Sequence, residues 1–334
     1  MKIGIVYTVK NEERLLRKNI LYHKAIGIDY FFVYLDNPTD NTEDSIKDLE
    51  YVDVQKSISS EKYKSFSYLE KFTSQAKEHH TARQCLNTFD AKQKCLDKKI
   101  NWLISIDADE LFNPNIDENE NGSTFFNKIP ENIDVVNFKV YEALQRKVAY
   151  DNVFAEETLF KSRHVFKSRF EKLFKYIYNP FNKKYVKFPY WYGQHLGKAA
   201  IRVDSKIIPH NVHRYKNYDE GKLQLIDKGS LLHYHFYDAK DFIKKFENFK
   251  EHPNTFLSGN KVGSLKLLLR DVVNKSGMNE VALNDYFVNY LMFSEREVKK
   301  LLRDKLFFIF QRKEKSLQRI NRVKKVIVKH KIGI

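Results

Sequence analysis

The chain has little cysteine and little glycine: 2 Cys and 11 Gly in 334 residues. Cys85 and Cys95 belong to no CxxC and no His/Cys cluster, so a zinc site is not expected. On one helix they would lie ~15 Å apart along the axis, too far for a disulfide, and a reducing compartment is the natural inference. The glycines form no P-loop, no GxGxxG and no GxSxG, which excludes the usual signatures of kinase, dinucleotide and serine-hydrolase chemistry. No stretch of about 18 uncharged apolar residues occurs, so no spanning helix is expected. The opening MKIGIVYTVKNEE carries too short an apolar run, too soon followed by acids, for a secretory signal. A cytoplasmic protein is the expectation. There is no internal repeat and no long low-complexity linker.

What is abundant is apolar and positive. Hydrophobic residues make up 42% and aromatics 14%, enough for a full core. Net charge is +16, from 59 Lys+Arg against 43 Asp+Glu, and attracts polyanions such as nucleic acid, anionic lipid or nucleotide diphosphates. From Arg296 to the C-terminus the chain is strongly basic, so much of the excess sits in one tail.

Residues 2–9, 29–35, 52–54, 102–106 and 133–141 read as strands. The stretch running to His23, residues 43–49, residues 80–98 (with Cys85, Phe89 and Leu96 inward) and residues 239–251 read as helices. This alternation predicts an α/β fold with a parallel sheet and ligands beyond the carboxyl ends of its strands. Lys10-Asn11-Glu12 and Asp36 lie at those ends. Residues 145–230 are less regular, with strands expected near 199–203 and 231–237, and suit antiparallel structure over a cleft. From about Ser258 the chain reads as mainly helical.

Three groups of residues carry chemistry. The apolar strand at 102–106 runs into Asp107-Ala108-Asp109-Glu110. Three acids in four residues repel one another, and a divalent cation removes that cost. The plainer reading is a solvated acidic turn. Lys10-Asn11-Glu12-Glu13 follows the first strand and lines a nucleotide pocket or caps a helix. Asp36 likewise accepts from a base or ribose, or caps an Asx-turn. His233-Tyr234-His235 reads as strand, so alternation puts both imidazoles on one face, where they suit a metal beside carboxylates. His210 and His213 are a weaker pair, and His79-His80 reads as a polar helix start.

Taken in order, strand then KNE, strand then Asp36, long helix, then WLISIDADE ending at Glu110, the chain resembles the GT-A glycosyltransferases. The likeness is to family 2-like and family 92-like members, whose acidic motif is often a WxxxxDxDE string. It is good over residues 1–112, looser over 195–250 and absent for the helical tail. It implies a GT-A, Rossmann-like nucleotide-diphospho-sugar transferase fold: a mostly parallel sheet, a smaller antiparallel part and a helical C-terminal extension. Residues 1–255 would form the transferase domain, with 1–112 the nucleotide-sugar half and 113–255 the acceptor half; 256–334 would be the basic extension.

The resemblance implies Mn²⁺ or Mg²⁺ held by Asp109, Asp107, His233 and His235. Val9, Asn11, Glu12, Asp36, Arg83, Gln84, Asp107 and Ala108 would contact the nucleotide-sugar. Glu110 would stand behind the metal or face the acceptor. Lys198, in GKAAIR, would stabilise the leaving diphosphate. The chain departs from the family pattern where a general base belongs. Glu142 takes that role in this reading, with Glu156 and Glu157 as rivals. The donor would be a UDP-sugar and the acceptor a glycan or lipid-linked glycan, with inversion. The Lys-, Asn-, Ile- and Phe-rich composition suggests an AT-rich bacterial genome and surface polysaccharide, capsule or lipopolysaccharide synthesis.

In the tail, Leu301, Leu302, Leu306, Ile309 and Phe310 recur at helical spacing among Lys and Arg. This suits peripheral contact with the inner face of the cytoplasmic membrane, or packing on the chain's own domain. No nucleic-acid module accompanies the charge, so nucleic acid is not an expected partner. The alternatives are a nucleotidyltransferase, which lacks here its usual glycine-rich loop, and a non-enzymatic glycan- or membrane-binding protein.

Overall fold

The computed structural model describes residues 1–115, 120–162, 166–177, 186–187, 196–204, 206–303, 309 and 317–333. Strand β1 (Ile3–Val9) is buried at every residue. Such a strand has apolar cover on both faces, which is why it reads as a continuous apolar run. It pairs in parallel with β2 (Tyr30–Leu35) and β4 (Trp102–Ser105), and β2 pairs in parallel with β3 (Val52–Lys56). Helix α1 (Leu16–Ala25) links β1 to β2. The short α2 (Glu70–Thr73) and the long α3 (His80–Asp97) lie between β3 and β4. Residues 43–49, expected as a helix, form successive turns. On α3, Cys85 and Phe89 point inward as expected, but Leu96 is 36% exposed and Cys95 takes the inward place. Both cysteines are free.

Beyond β4 the sheet turns antiparallel. After β5 (Glu110–Asn113), α4 (Gly122–Asn127), β6 (Val135–Ala143), α5 (Val153–Glu156), β7 (Leu159–Ser162) and α6 (Arg169–Ile177) comes β8 (Ala199–Arg202). It slots between β4 and β6, antiparallel to both. The residue before Lys198 is Gly197, whose missing Cβ matters: a methyl there would run into the Phe138 carbonyl oxygen. Glycine thus lets Lys198 enter the sheet beside β6.

A hairpin of β9 (Ile207–Asn211) and β10 (Arg214–Asn217) stands apart. Strand β11 (Leu225–His233) runs parallel to β6 and antiparallel to β5. Its register breaks between Asp227 and Ser230, where Gly229 has φ +74°. The final order is β12-β7-β6-β8-β4-β1-β2-β3, with β11 and β5 off this path. This is the mixed α/β architecture the sequence predicts.

Among the described residues the chain after residue 256 is mainly helical, and it is built onto the body. Helices α7 (Ala239–Asn248), α8 (Ser264–Lys275), α9 (Glu280–Tyr286) and α10 (Glu295–Leu302) share an apolar cluster. Phe242, Phe246, Leu269, Phe287 and Leu301 meet Leu144 and Leu159 there. Strand β12 (Leu317–Arg319) extends the sheet beside β7, and α11 (Arg322–Lys329) places Val323 and Ile327 in the main core. Of the tail's apolar positions, Leu301 is buried while Leu302 and Ile309 are exposed; Leu306 and Phe310 lie outside the described residues. Among the described residues no helix is long and apolar enough to cross a membrane.

Candidate active site

Strand β4 delivers the acidic motif to the carboxyl edge of the sheet, and the turn after it separates the two aspartates. Asp107 accepts from Gln84 Nε2 at 2.6 Å, and its other oxygen lies 3.0 Å from Lys198 Nζ. Glu110 folds back to accept the Asp107 backbone N–H at 2.9 Å, with Lys198 at 3.9 Å. Burial raises the Asp107 carboxyl and Lys198 outweighs it, so the acid stays ionised. Burial dominates at Glu110 and pushes it up to about 7, against the pull of Lys198.

Asp109 faces another set of groups. Lys245 Nζ, from α7, donates to its Oδ2 at 2.7 Å, and His233 Nε2 is 3.4 Å from the same oxygen. Burial would raise this carboxyl, but Lys245 and His233 hold it well below the usual carboxylate range. His233 in turn sits 3.6 Å from Glu142 Oε1, and Lys161 pairs with Glu142 Oε2 at 2.7 Å. Burial opposes charge on His233, yet Asp109 and Glu142 push it up to about 10. His235 is the opposite case: burial, Lys245 and His233 hold it well below its usual value, as a neutral ring.

Strand β11 ends at His233, so the alternation expected through His235 does not occur. The two rings nevertheless lie 5.0 Å apart, and the chain turns just after them, where Phe236 has φ +30°. Ligand atoms of Asp109, His233 and His235 fall within 4.8 Å of one another. Among the described residues the buried His235 Nδ1 has no hydrogen-bond partner, which is the state expected of a lone pair open to a ligand. A divalent cation therefore fits these residues. Asp107, expected as a fourth ligand, is not part of that cluster.

Several residues expected to face the nucleotide are engaged elsewhere. Both oxygens of Asp36 are taken: Arg83 Nε donates to one at 2.7 Å, while Arg83 Nη2 at 2.9 Å and His80 Nδ1 at 2.8 Å meet the other. Asp36 and Arg83 thus brace β2 against α3. His80, expected only as a helix start, belongs to this brace. Val9 and Ala108 are core residues; the Val9 carbonyl accepts from the Asp36 N–H and the Ala108 carbonyl from Asn19.

Asn11, at φ +57°, does not cap α1. It accepts the Thr39 N–H at 2.7 Å and donates to Asn248 at 3.2 Å, tying α7 to the end of β1. Glu12 pairs with Lys244 at 3.0 Å. Burial, then the acids Asp241 and Asp109, push it up to about 7 against Lys244.

Glu142 does not reach the cleft as a base would. It is 1% exposed and stands behind His233 with Lys161. Glu157 accepts from Arg146 and Tyr150, and Glu156 pairs with Lys147, so both rivals serve the 146–157 loop. The residue that sequence reading missed is Lys245. Its only local signal is the Lys244-Lys245 doublet in an amphipathic helix after His-Tyr-His.

A parallel sheet edge carrying Asp107 and Asp109, the two late histidines and the buried Lys198 is the layout that the resemblance to GT-A transferases implies. The chain belongs to glycosyltransferase family 92, whose model matches residues 5–259. Two glycosyltransferase-like proteins of Arabidopsis thaliana are similar, each 24% identical. They cover 68% and 64% of this chain, which spans 52% and 43% of their lengths. The chain thus spans about half the length of the curated relatives it matches.

Among solved structures, S. aureus TarS 1-349 in complex with UDP is 13% identical, with a TM-score of 0.35, over 93% of this chain and 78% of that one. Glucosyl-3-phosphoglycerate synthase from Mycobacterium tuberculosis, in complex with Mn²⁺, UDP and phosphoglyceric acid, is 14% identical, with a TM-score of 0.26. That likeness covers 60% of this chain and 55% of that one. At these scores nothing about donor or acceptor follows for this chain.

Proposed function

We propose that this protein transfers a sugar from a UDP-sugar to a hydroxyl of a glycan or lipid-linked acceptor, with inversion and with Mn²⁺ as the metal. The observation that carries the reading is the Asp109–His233–His235 cluster at the carboxyl edge of β4 in a family 92 chain. Asp109, His233 and His235 would hold the ion, and two imidazoles favour Mn²⁺ over the harder Mg²⁺. The bound cation supplies Lewis-acid neutralisation of charge on the leaving diphosphate.

The chain's own residues do the rest. Glu142, fixed by Lys161, orients the His233 ring as a carboxylate behind a metal-binding histidine does. Lys198 stays protonated between Asp107 and Glu110 and presents fixed positive charge beside the motif. Gln84 fixes the Asp107 carboxylate. We place the protein in the cytoplasm, in peripheral contact with the membrane, where the exposed Arg296, Lys299, Lys300 and Arg303 of α10 and its end suit anionic headgroups. Surface polysaccharide as the acceptor rests on composition.

The test is thermal melting with UDP, GDP, CMP and dTDP ligands, each with and without Mn²⁺. A UDP shift that requires Mn²⁺ is the expected result. No shift with any of the four would overturn the reading, and a shift with nucleoside triphosphates alone would favour a nucleotidyltransferase. NMR of the product's anomeric centre checks inversion.

A further inference from the structure

Lys266 has no role in the site described so far. It sits in the first turn of α8, and its Nζ lies over the Phe249 ring at 4.2 Å and 5.7 Å from the centre of Phe256. Among the described residues it has no carboxylate within ion-pair distance, unlike Lys198 and Lys245, whose partners are Asp107 and Asp109.

Phe249 is placed with care. It follows Lys245 by four residues, so the two point the same way about 6 Å apart along the axis of α7. His252 stacks on Phe249 at 4.3 Å and meets His79 edge-on at 6.0 Å. His79 adjoins His80, which binds Asp36. Asn248, beside Phe249, donates to the Lys10 carbonyl. Phe249 and His252 therefore lie between the end of β1 and the start of α3, and Phe249 holds an ammonium there. The arrangement has a cost. Lys266 is exposed; the protein on one side of its ammonium and the nearby Lys245 lower its pKa, against Asp107. An exposed ammonium steered by a ring and set near a second cation raises the local concentration of anions.

We propose that Lys266 is a donor-binding residue: its ammonium, aimed by Phe249, grips the diphosphate of the nucleotide-sugar from the C-terminal side. The inference rests on the glycosyltransferase reading above. Lys245 sits one helical turn before Phe249 and is held by Asp109 in this structure. A cation entering at Asp109 would displace the Lys245 ammonium toward the same diphosphate, so the two lysines would act as a pair.

Titration calorimetry with UDP and with uridine, in Mn²⁺ buffer, tests it. Lys266→Ala should weaken UDP binding roughly tenfold or more while uridine is unchanged, and Lys266→Arg should stay within about threefold of the parent. The exposed Lys250 makes no ring contact of this kind, and Lys250→Ala should bind as the parent does. Equal UDP affinity in Lys266→Ala overturns the proposal, as does an equal loss of UDP and uridine. If the parent itself binds no nucleoside diphosphate, the glycosyltransferase reading fails first and takes this inference with it.

Discussion

The first 113 residues and the stretch from Lys198 to Lys266 contribute opposite charges to one cleft. The first region brings Asp36, Asp107, Asp109 and Glu110. The second brings Lys198, His233, His235 and Lys245. Asp36 is neutralised inside its own region, by Arg83 and His80. The β4 acids are neutralised from the other region, by Lys198 and Lys245. The acidic motif alone suggests a divalent ion, or plain solvation, as what relieves its self-repulsion. In the folded chain lysines already relieve it. Asp36 is thus a finished structural pair, whereas Asp109 is a pair that must open, because an ion bound there has to move Lys245 aside.

The sharpest way to break this comparison is to neutralise one acid in each region. Asp109→Asn should cut kcat/KM by roughly 10³-fold and abolish the Mn²⁺-dependent melting shift. Asp36→Asn should lower stability while keeping that shift. If both variants lose the shift equally, the two regions do not differ as argued.

The next effect is on stability. Lys161 and Glu142 are each 1% exposed, so removing one takes a close counter-ion from a buried charge. Lys161→Met should cost about 3–5 kcal/mol in urea unfolding. The exposed Lys47–Asp44 pair is the contrast, and Lys47→Met should leave the urea midpoint where it is. A smaller third effect separates two roles for Glu142. As the carboxylate behind His233, Glu142→Gln should weaken Mn²⁺ about tenfold with turnover restored at high Mn²⁺. A lost general base would instead abolish turnover and leave Mn²⁺ affinity alone.

The same contrast explains what could be read in advance. Strands β1, β2 and β4 are short buried runs, and α3 is long and amphipathic, so local pattern places Asp36, Asp107 and Asp109 at strand ends. The His233–His235 proximity was legible from their i, i+2 spacing, although the strand itself stops at His233. Lys245 was not legible, because it meets Asp109 across 136 positions of chain and no local pattern sets that register. Asp36 looked free for a ligand because nothing in the sequence announces that Arg83 and His80, on the next long helix, occupy it. Leu96 and Cys95 exchanged places because one residue on a helix rotates the facing side by about 100°.

The smallest expected effect lies where the two regions touch without a metal. Glu12 from the end of β1 meets Lys244 of α7, and burial together with Asp241 and Asp109 pushes its pKa from 4.5 to about 7. Between about pH 4.5 and 7 the folded chain keeps a proton that the unfolded chain has released. This group's contribution therefore favours the fold at low pH and is lost as pH rises through that window. Glu12→Gln cannot titrate, so the parent-minus-variant stability difference should fall across pH 4.5–7 and level off above it. Urea unfolding at several pH values measures it. A flat difference would mean that Lys244 fully offsets burial at Glu12, and that this contact is a finished pair like Asp36–Arg83 rather than an adjustable one like Asp109–Lys245.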